Sequence, residues 1–349
     1  METVIEAPPA HDRAFCDAML PKVSRTFAVC IRLLPARLQR PVLTAYLLCR
    51  VADTIEDTAT LAPDVKDALL AAFRASLDAG GPDADALRKA FPAPTTDEEH
   101  LTHDADAVLR EFRRLSTVQQ AAIRPSVQEM CSGMAEFARR QRLAAGGPVT
   151  ALETVEDLDR YCYFVAGTVG HLLTELFRAH AASITPSRYR RLKHLATSFG
   201  LGLQLTNIIK DVSDDRRRGW AFVPRQLCHV AGIRPEELHD GRHREEALRV
   251  MRALIDKAKG HLCDALEYST VLPRRLHGIR LFCLTSLYFA VRTLRLAERD
   301  ARLLDPAHKV KITRRDVART VGIAKVIAPS DVLVRGYFRL LAGPEWRCS

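Results

Sequence analysis

Long apolar runs, paired metal-binding cysteines and strand-like alternation are all missing from this chain of 349 residues. No apolar stretch approaches the roughly 20 residues that a bilayer-spanning helix needs, so a membrane-embedded protein is not expected. The opening Met1-Glu-Thr-Val-Ile-Glu6 is acidic and lacks the apolar core of a secretory signal. There is no C-x-x-C pair and no H-E-x-x-H, which argues against a zinc centre. Aromatic residues make up only 6%, no RNP-like aromatic motif occurs, and no basic tail is concentrated at either end. A nucleic-acid partner is therefore not expected. The nine cysteines are odd in number and scattered through apolar context, which predicts a reduced, cytoplasmic protein that uses Cys as a small hydrophobe. At most the protein touches a membrane peripherally, and no pattern specifies an oligomeric state.

What remains is helix-forming material. The chain is 47% apolar, with 52 Lys and Arg against 42 Asp and Glu, a formal charge of +10. The basic excess reads as solvated helix faces or as surroundings for an anionic substrate. Residues 1–14 read as a loose arm. Ser24 is placed to cap a helix through Arg32, and Pro35 opens the next, which carries Asp53 to Asp57. Further helices are predicted over 63–79, near 100–115, and over 117–144 before Gly146-Gly147-Pro148. Thr154, with Asp157 three residues on, starts one that runs to His180. Pro186 starts another, which ends before Gly219. The last helices are placed at 244–271, 274–300, 314–324 and 329–341. The expected architecture is all-α, a single-domain helical bundle, with a catalytic domain over 15–325 and a C-terminal helix and tail over 326–349.

Two acidic clusters interrupt these apolar helices. Asp53 and Asp57 are four apart and share a helix face, with Glu56 beside them, and Asp211, Asp214 and Asp215 repeat the arrangement. Carboxylates this close repel one another and resist burial unless a cation is present. If a bundle brings the two clusters together, they form an oxygen-lined cage suited to Mg²⁺ shared with substrate phosphates. Arg50, three residues before Asp53, reads either as a structural ion pair or as a phosphate ligand. The two are compatible. In Tyr161-Cys-Tyr-Phe-Val-Ala-Gly-Thr-Val-Gly170, two glycines inside an apolar helix mark either close helix packing or a kink beside a bulky ligand. The segment 216–224 reads as a flap over a site or as a solvated basic loop.

Four motifs now stand in order: Ser24-Arg25-Thr-Phe27, Asp53-Thr-Ile-Glu-Asp57, Tyr161 to Gly170, and Gln204-Leu-Thr-Asn-Ile-Ile-Lys-Asp211-Val-Ser-Asp-Asp215. Together they resemble the squalene/phytoene synthase family over about 15–325. The segment Leu281 to Leu294 and Val310-Lys311-Ile312 are similar to its squalene-forming branch, most like the bacterial members. The resemblance implies an isoprenoid-synthase bundle with a central cavity. It implies Mg²⁺ held by Asp53, Asp57, Asp211 and Asp215, and two molecules of farnesyl diphosphate as substrate. Ser24, Arg25, Tyr46, Arg50, Glu56, Phe164, Val165, Gly167, Gln204, Asn207 and Asp214 would meet that substrate. Tyr161 would assist proton loss, although a plain core tyrosine fits the same position. NADPH would lie near Asn207, Lys311 and Arg314. The implied reaction is head-to-head condensation to presqualene diphosphate followed by reduction to squalene. The alternative within the family is a non-reductive synthase that makes phytoene, dehydrosqualene or presqualene diphosphate only. Outside it, the alternative is a catalytically silent helical scaffold. Lys210 and Thr313 depart from the family pattern, which usually has Arg and a basic residue there.

Overall fold

Ser24 ends one helix and starts the next. Its backbone is extended and its Oγ accepts the Phe27 N–H at 3.2 Å, satisfying a donor that the first turn leaves unpaired. Local devices of this kind recur through a computed structural model that describes residues 9–143, 150–217, 220–346 and 348. Among these residues the fold is all-α, with sixteen α-helices, and its only strands are a parallel pairing of β1 (Thr150–Ala151) with β2 (Trp220–Ala221). The chain divides into two compact units, 1–139 and 140–349, a different division from the boundaries expected at 14/15 and 325/326.

The first unit contains α1 (Pro9–Val23), α2 (Arg25–Arg32), α3 (Ala36–Asp57), α4 (Pro63–Ser76), α5 (Asp85–Ala90), α6 (Asp97–His103), α7 (Ala105–Arg113) and most of α8 (Thr117–Leu143). Its axis is α3, buried along most of its length and packed against α1, α2, α4, α6 and α7. The single helix expected near 100–115 is two, broken at Asp104, and a Thr96–Glu99 capping box starts the first of them at Asp97. The loose arm over 1–14 is corrected. Helix α1 begins at Pro9, and only residues 1–8 lie outside the described residues. The Gly146-Gly147-Pro148 stop also lies outside them.

What holds α1 down is a buried charge. Asp12 is fully buried, and its carboxylate accepts hydrogen bonds from Arg110 at 2.7 Å and Arg114 at 2.7 Å. Burial works to raise its pKa, but the two guanidinium groups outweigh burial and hold it below the usual carboxylate value. A depressed folded pKa contributes stability that is complete above the unfolded value, about 3.9, and is lost as pH falls through the folded one. Asp12→Asn should therefore cost roughly 3 kcal/mol in urea unfolding at pH 7. The variant should also lose less stability than wild type between about pH 5 and pH 2. Parallel stability curves over that range would contradict the assignment.

The second unit holds α9 (Val155–Cys162), α10 (Thr168–His180), α11 (Pro186–Arg217), α12 (Arg225–Ala231), α13 (Arg244–Val271), α14 (His277–Arg299), α15 (Arg314–Ile327) and α16 (Asp331–Ala342). Between α9 and α10 lies a five-residue π-turn, Tyr163–Gly167. The core helix is α14, which runs against α11, α13, α15 and α16. Its fully buried Arg280 donates to the carbonyls of Leu272 (2.7 Å) and Ala328 (2.8 Å) and to Asp331 (2.6 Å), fixing the start of α16.

The expectation of reduced thiols throughout is also corrected. Cys263 on α13 is joined to Cys348 by a disulfide, with a sequence separation of 85. The tail reaches it by folding back, with Trp346 buried against Phe338 and under Lys259. The other seven cysteines are buried. No described helix is long and apolar enough to cross a membrane.

Candidate active site

In the first unit the acidic motif occupies the last turn of α3. Asp53 and Asp57 are half-buried, whereas Glu56 is only 3% exposed and faces the interior. The buried Lys66 donates its ammonium to the Glu56 carbonyl, tying α4 to the end of α3. Arg50 pairs with Asp53 at 3.7 Å and donates to the Tyr46 hydroxyl at 3.0 Å. Burial pushes the Asp53 carboxyl up to about 6. Arg50 pulls against this and Asp57 adds to it. Arg50 Nε has no acceptor among the described residues, so the guanidinium keeps donor capacity for an anion. Phe27 packs on Tyr46 with ring centroids 5.4 Å apart, and this places the first turn of α2, with exposed Arg25, next to that helix. The unit thus carries Ser24, Arg25, Tyr46, Arg50, Asp53 and Asp57 on α3 and at the start of α2, and turns Glu56 inward.

The second unit builds its part around α11. At 100° per residue Gln204, Asn207, Asp211, Asp214 and Asp215 fall on one side of that helix. Asn207 is exposed, Gln204, Asp211 and Asp214 are half-buried, and Asp215 is only 6% exposed. Asp215 lines a small crevice with Phe222, Val223 and Leu238, so it stands apart from its half-exposed neighbours. Asp211 pairs with Lys210, and Asp214 pairs with Lys309. Lys309 is the residue that sequence reasoning missed. Its signal is its place two residues before Lys311 in His-Lys-Val-Lys, where only buried Val310 separates the two lysines. Lys311 and Arg314 are exposed and make no ion pair among the described residues. Thr313 has a structural job. It caps α15 through a box with Asp316, and a basic residue there would lose that cap.

The glycine-rich stretch combines a wider, π-helical turn with close helix packing. The π-turn inserts a wider turn into an otherwise α-helical run, and Thr168 donates its hydroxyl to the Phe164 carbonyl at 2.7 Å at its end. Phe164 and Val165 are left half-buried on this turn. Close packing follows directly. A Cβ on Gly200 of α11 would lie 2.2 Å from the Ala166 carbonyl oxygen, and one on Gly170 would lie 2.1 Å from that of Ala196. Gly167 meets only side chains, Tyr163 being nearest at 2.9 Å. Tyr161 is buried on α9 and stacks on Phe222 at 4.7 Å between centroids, so the segment after Gly219 is docked on the helix. Residues 218 and 219 of the expected flap lie outside the described residues.

The donor set suits Mg²⁺. The two motifs offer hard carboxylate oxygens with no His or Cys among them, and the raised Asp53 carboxyl is one that a nearby cation would favour ionising. Among the described residues no group of three or more such side chains forms a ready-made metal site. That is compatible with Mg²⁺, which usually takes one or two carboxylates and completes its shell with water and substrate phosphates.

A family model for squalene/phytoene synthase matches residues 20–316. Squalene synthase of Eremothecium gossypii is 32% identical over 304 residues, 85% of this chain and 64% of that protein. The chain thus spans less than two thirds of that relative's length. Squalene synthase 1 of Panax ginseng is 31% identical over 330 residues, 94% of this chain and 73% of that one. Among solved structures, TcSQS in complex with the ligand BPH1237 superposes with a TM-score of 0.78 at 26% identity, covering 97% of this chain and 94% of the other. A dehydrosqualene synthase in complex with a ligand shares the fold at a TM-score of 0.66 and 20% identity, covering 92% and 98%. With the four motifs in place on their helices and the family model spanning most of its length, this chain belongs to the squalene/phytoene synthase family.

Proposed function

We propose that this protein is a Mg²⁺-dependent prenyl transferase. It would join two molecules of farnesyl diphosphate head to head as presqualene diphosphate and reduce that intermediate to squalene with NADPH. The observation that carries the reading is the pair of half-exposed carboxylate motifs, Asp53/Asp57 on α3 and Asp211/Asp214 on α11, each set near the C-terminal end of its helix. Bound by Asp53, Asp57, Asp211 and Asp215, Mg²⁺ would supply the charge neutralisation that makes diphosphate a leaving group.

The protein's own residues divide the remaining work. Ser24, Arg25, Arg50 and Tyr46 hold diphosphate oxygens, with Arg50 kept in place by Asp53 and Tyr46. Lys66, donating to the Glu56 carbonyl, holds the end of α3 in position. Phe164, Val165, Gly167 and Gln204 wall off the allylic cation from water, and the π-turn sets where the first three point. Tyr161 accepts a proton as the cyclopropane closes and passes it to the released diphosphate. A phenol of pKa near 10 is a weak base alone, so the relay needs that partner. Exposed Lys311 and Arg314 would hold the phosphates of NADPH, with Asn207 at the nicotinamide end, and the chemistry NADPH would supply there is hydride donation. Lys309 and Asp214 hold the segment bearing Lys311 against α11. The resemblance in name and fold to squalene synthases favours the reductive outcome.

The test is product analysis with farnesyl diphosphate and Mg²⁺, with and without NADPH. Squalene is expected with NADPH. Without it, presqualene diphosphate and dehydrosqualene-type by-products should accumulate. Lys311→Ala should raise the KM for NADPH roughly tenfold, the size of one lost charge-assisted contact, and spare presqualene formation. An identical product profile in both conditions would replace this reading with the non-reductive one.

A further inference from the structure

Helix α16 is apolar on two sides. Its inner side buries Val334, Tyr337, Phe338 and Ala342 against the second unit. Its outer side exposes Val332 (78%), Leu333 (52%) and Leu340 (75%). Together with Val326 (76%) at the end of α15, these are four of the eight large hydrophobic residues the described chain leaves exposed, and they fall within fifteen residues of one another. Scattered exposed apolar residues are ordinary, whereas a concentration on one helix face marks a surface that meets something. At 100° per residue Val332, Gly336, Leu340 and Leu333 span an arc of about 100°. Arg339 and Arg335, both exposed, adjoin one edge of the arc.

The exposed charges on α16 itself are of one sign. The one acidic residue of α16, Asp331, is engaged by Arg274 and Arg280. On α15, Arg315, Arg319 and Lys325 are exposed. The helix is also held rigidly, by Arg280 at its start and by Tyr288, which donates to the Val334 carbonyl at 3.1 Å. An apolar stripe edged by arginines on a fixed helix is the pattern of an interfacial helix, with side chains entering the headgroup boundary and cations meeting anionic lipid.

We infer that the outer face of α16 docks on an anionic lipid bilayer, with Val332, Leu333 and Leu340 inserted and Arg335 and Arg339 on the headgroups. The inference stands on exposure and charge, independently of the proposed reaction, and it is tested without turnover. The full-length protein should float with vesicles of phosphatidylcholine and phosphatidylglycerol at a ratio of about 7:3, and less with phosphatidylcholine alone. Leu333→Glu combined with Leu340→Glu should lower vesicle binding by roughly tenfold or more with an unchanged melting temperature, since both side chains are exposed. Arg335→Gln combined with Arg339→Gln should weaken binding to the anionic vesicles only, as raised salt should for wild type. The inference is overturned if wild type does not float, or if the Glu variant floats equally well. It is also overturned if light scattering shows a wild-type dimer that the Glu variant turns into a monomer, which would assign the face to a second copy of the chain.

Discussion

If the proposed reaction is correct, replacing Asp57 or Asp211 with Asn should lower kcat/KM for farnesyl diphosphate by about a thousandfold or more, roughly 4 kcal/mol of transition-state stabilisation, while the protein stays folded. Both carboxylates are half-buried, so the isosteric amide removes charge without opening a cavity. The ion pair lost with Asp211 is to its neighbour Lys210, a partly exposed contact of little worth to stability. Glu56 and Asp215 would be poorer choices, because each is buried and an amide there would mix stability with catalysis. Circular dichroism and the melting temperature should match wild type. Near-normal turnover at saturating Mg²⁺ in either variant would remove that motif from the site.

Gly200→Ala and Gly170→Ala are expected to be the most destabilising single-methyl additions in the second unit, each costing roughly 3 kcal/mol or more. The new methyl would sit 2.2 Å from the Ala166 carbonyl oxygen in one case and 2.1 Å from the Ala196 oxygen in the other. Both obstacles are helical backbone, which cannot rotate aside as a side chain can. The clean contrast is Gly260→Ala on α13, where nothing lies within 4 Å and the change should stabilise by about 0.5–1 kcal/mol through helix propensity alone. Urea unfolding of the three variants measures this. A Gly200→Ala protein as stable as wild type would mean that the π-turn does not direct the Ala166 carbonyl at α11.

The outcomes follow a physical divide. Ser24 and the Thr154–Asp157 box were readable because a cap is made within four residues. Helix α13 matches its expected span, and α14 starts three residues late because Leu272 to Leu276 form the connection. The carboxylate motifs were readable because four-residue spacing fixes a shared face. Three features were not readable. The π-turn breaks the constant 100° step on which periodicity reasoning depends, so the sequence offered both close packing and a kink without joining them. Short helices α5 and α12 carry too few residues to show a period. The pairings Lys309–Asp214 and Cys263–Cys348 link positions far apart in the chain, and only the folded backbone brings them together. The inward turn of Glu56 belongs with these, since Lys66, the cation whose charge interacts with it, sits on the next helix.

The Cys263–Cys348 bond has a consequence for how this molecule comes apart. It makes the stretch between those residues a covalent ring that contains the end of α13 and all of α14, α15 and α16. A protease that cuts once in the connections at 272–276 or 300–313 opens the ring without releasing a fragment. Breaking the polypeptide and losing its last helices are therefore separate events here, and the second requires a reductant as well as a cut.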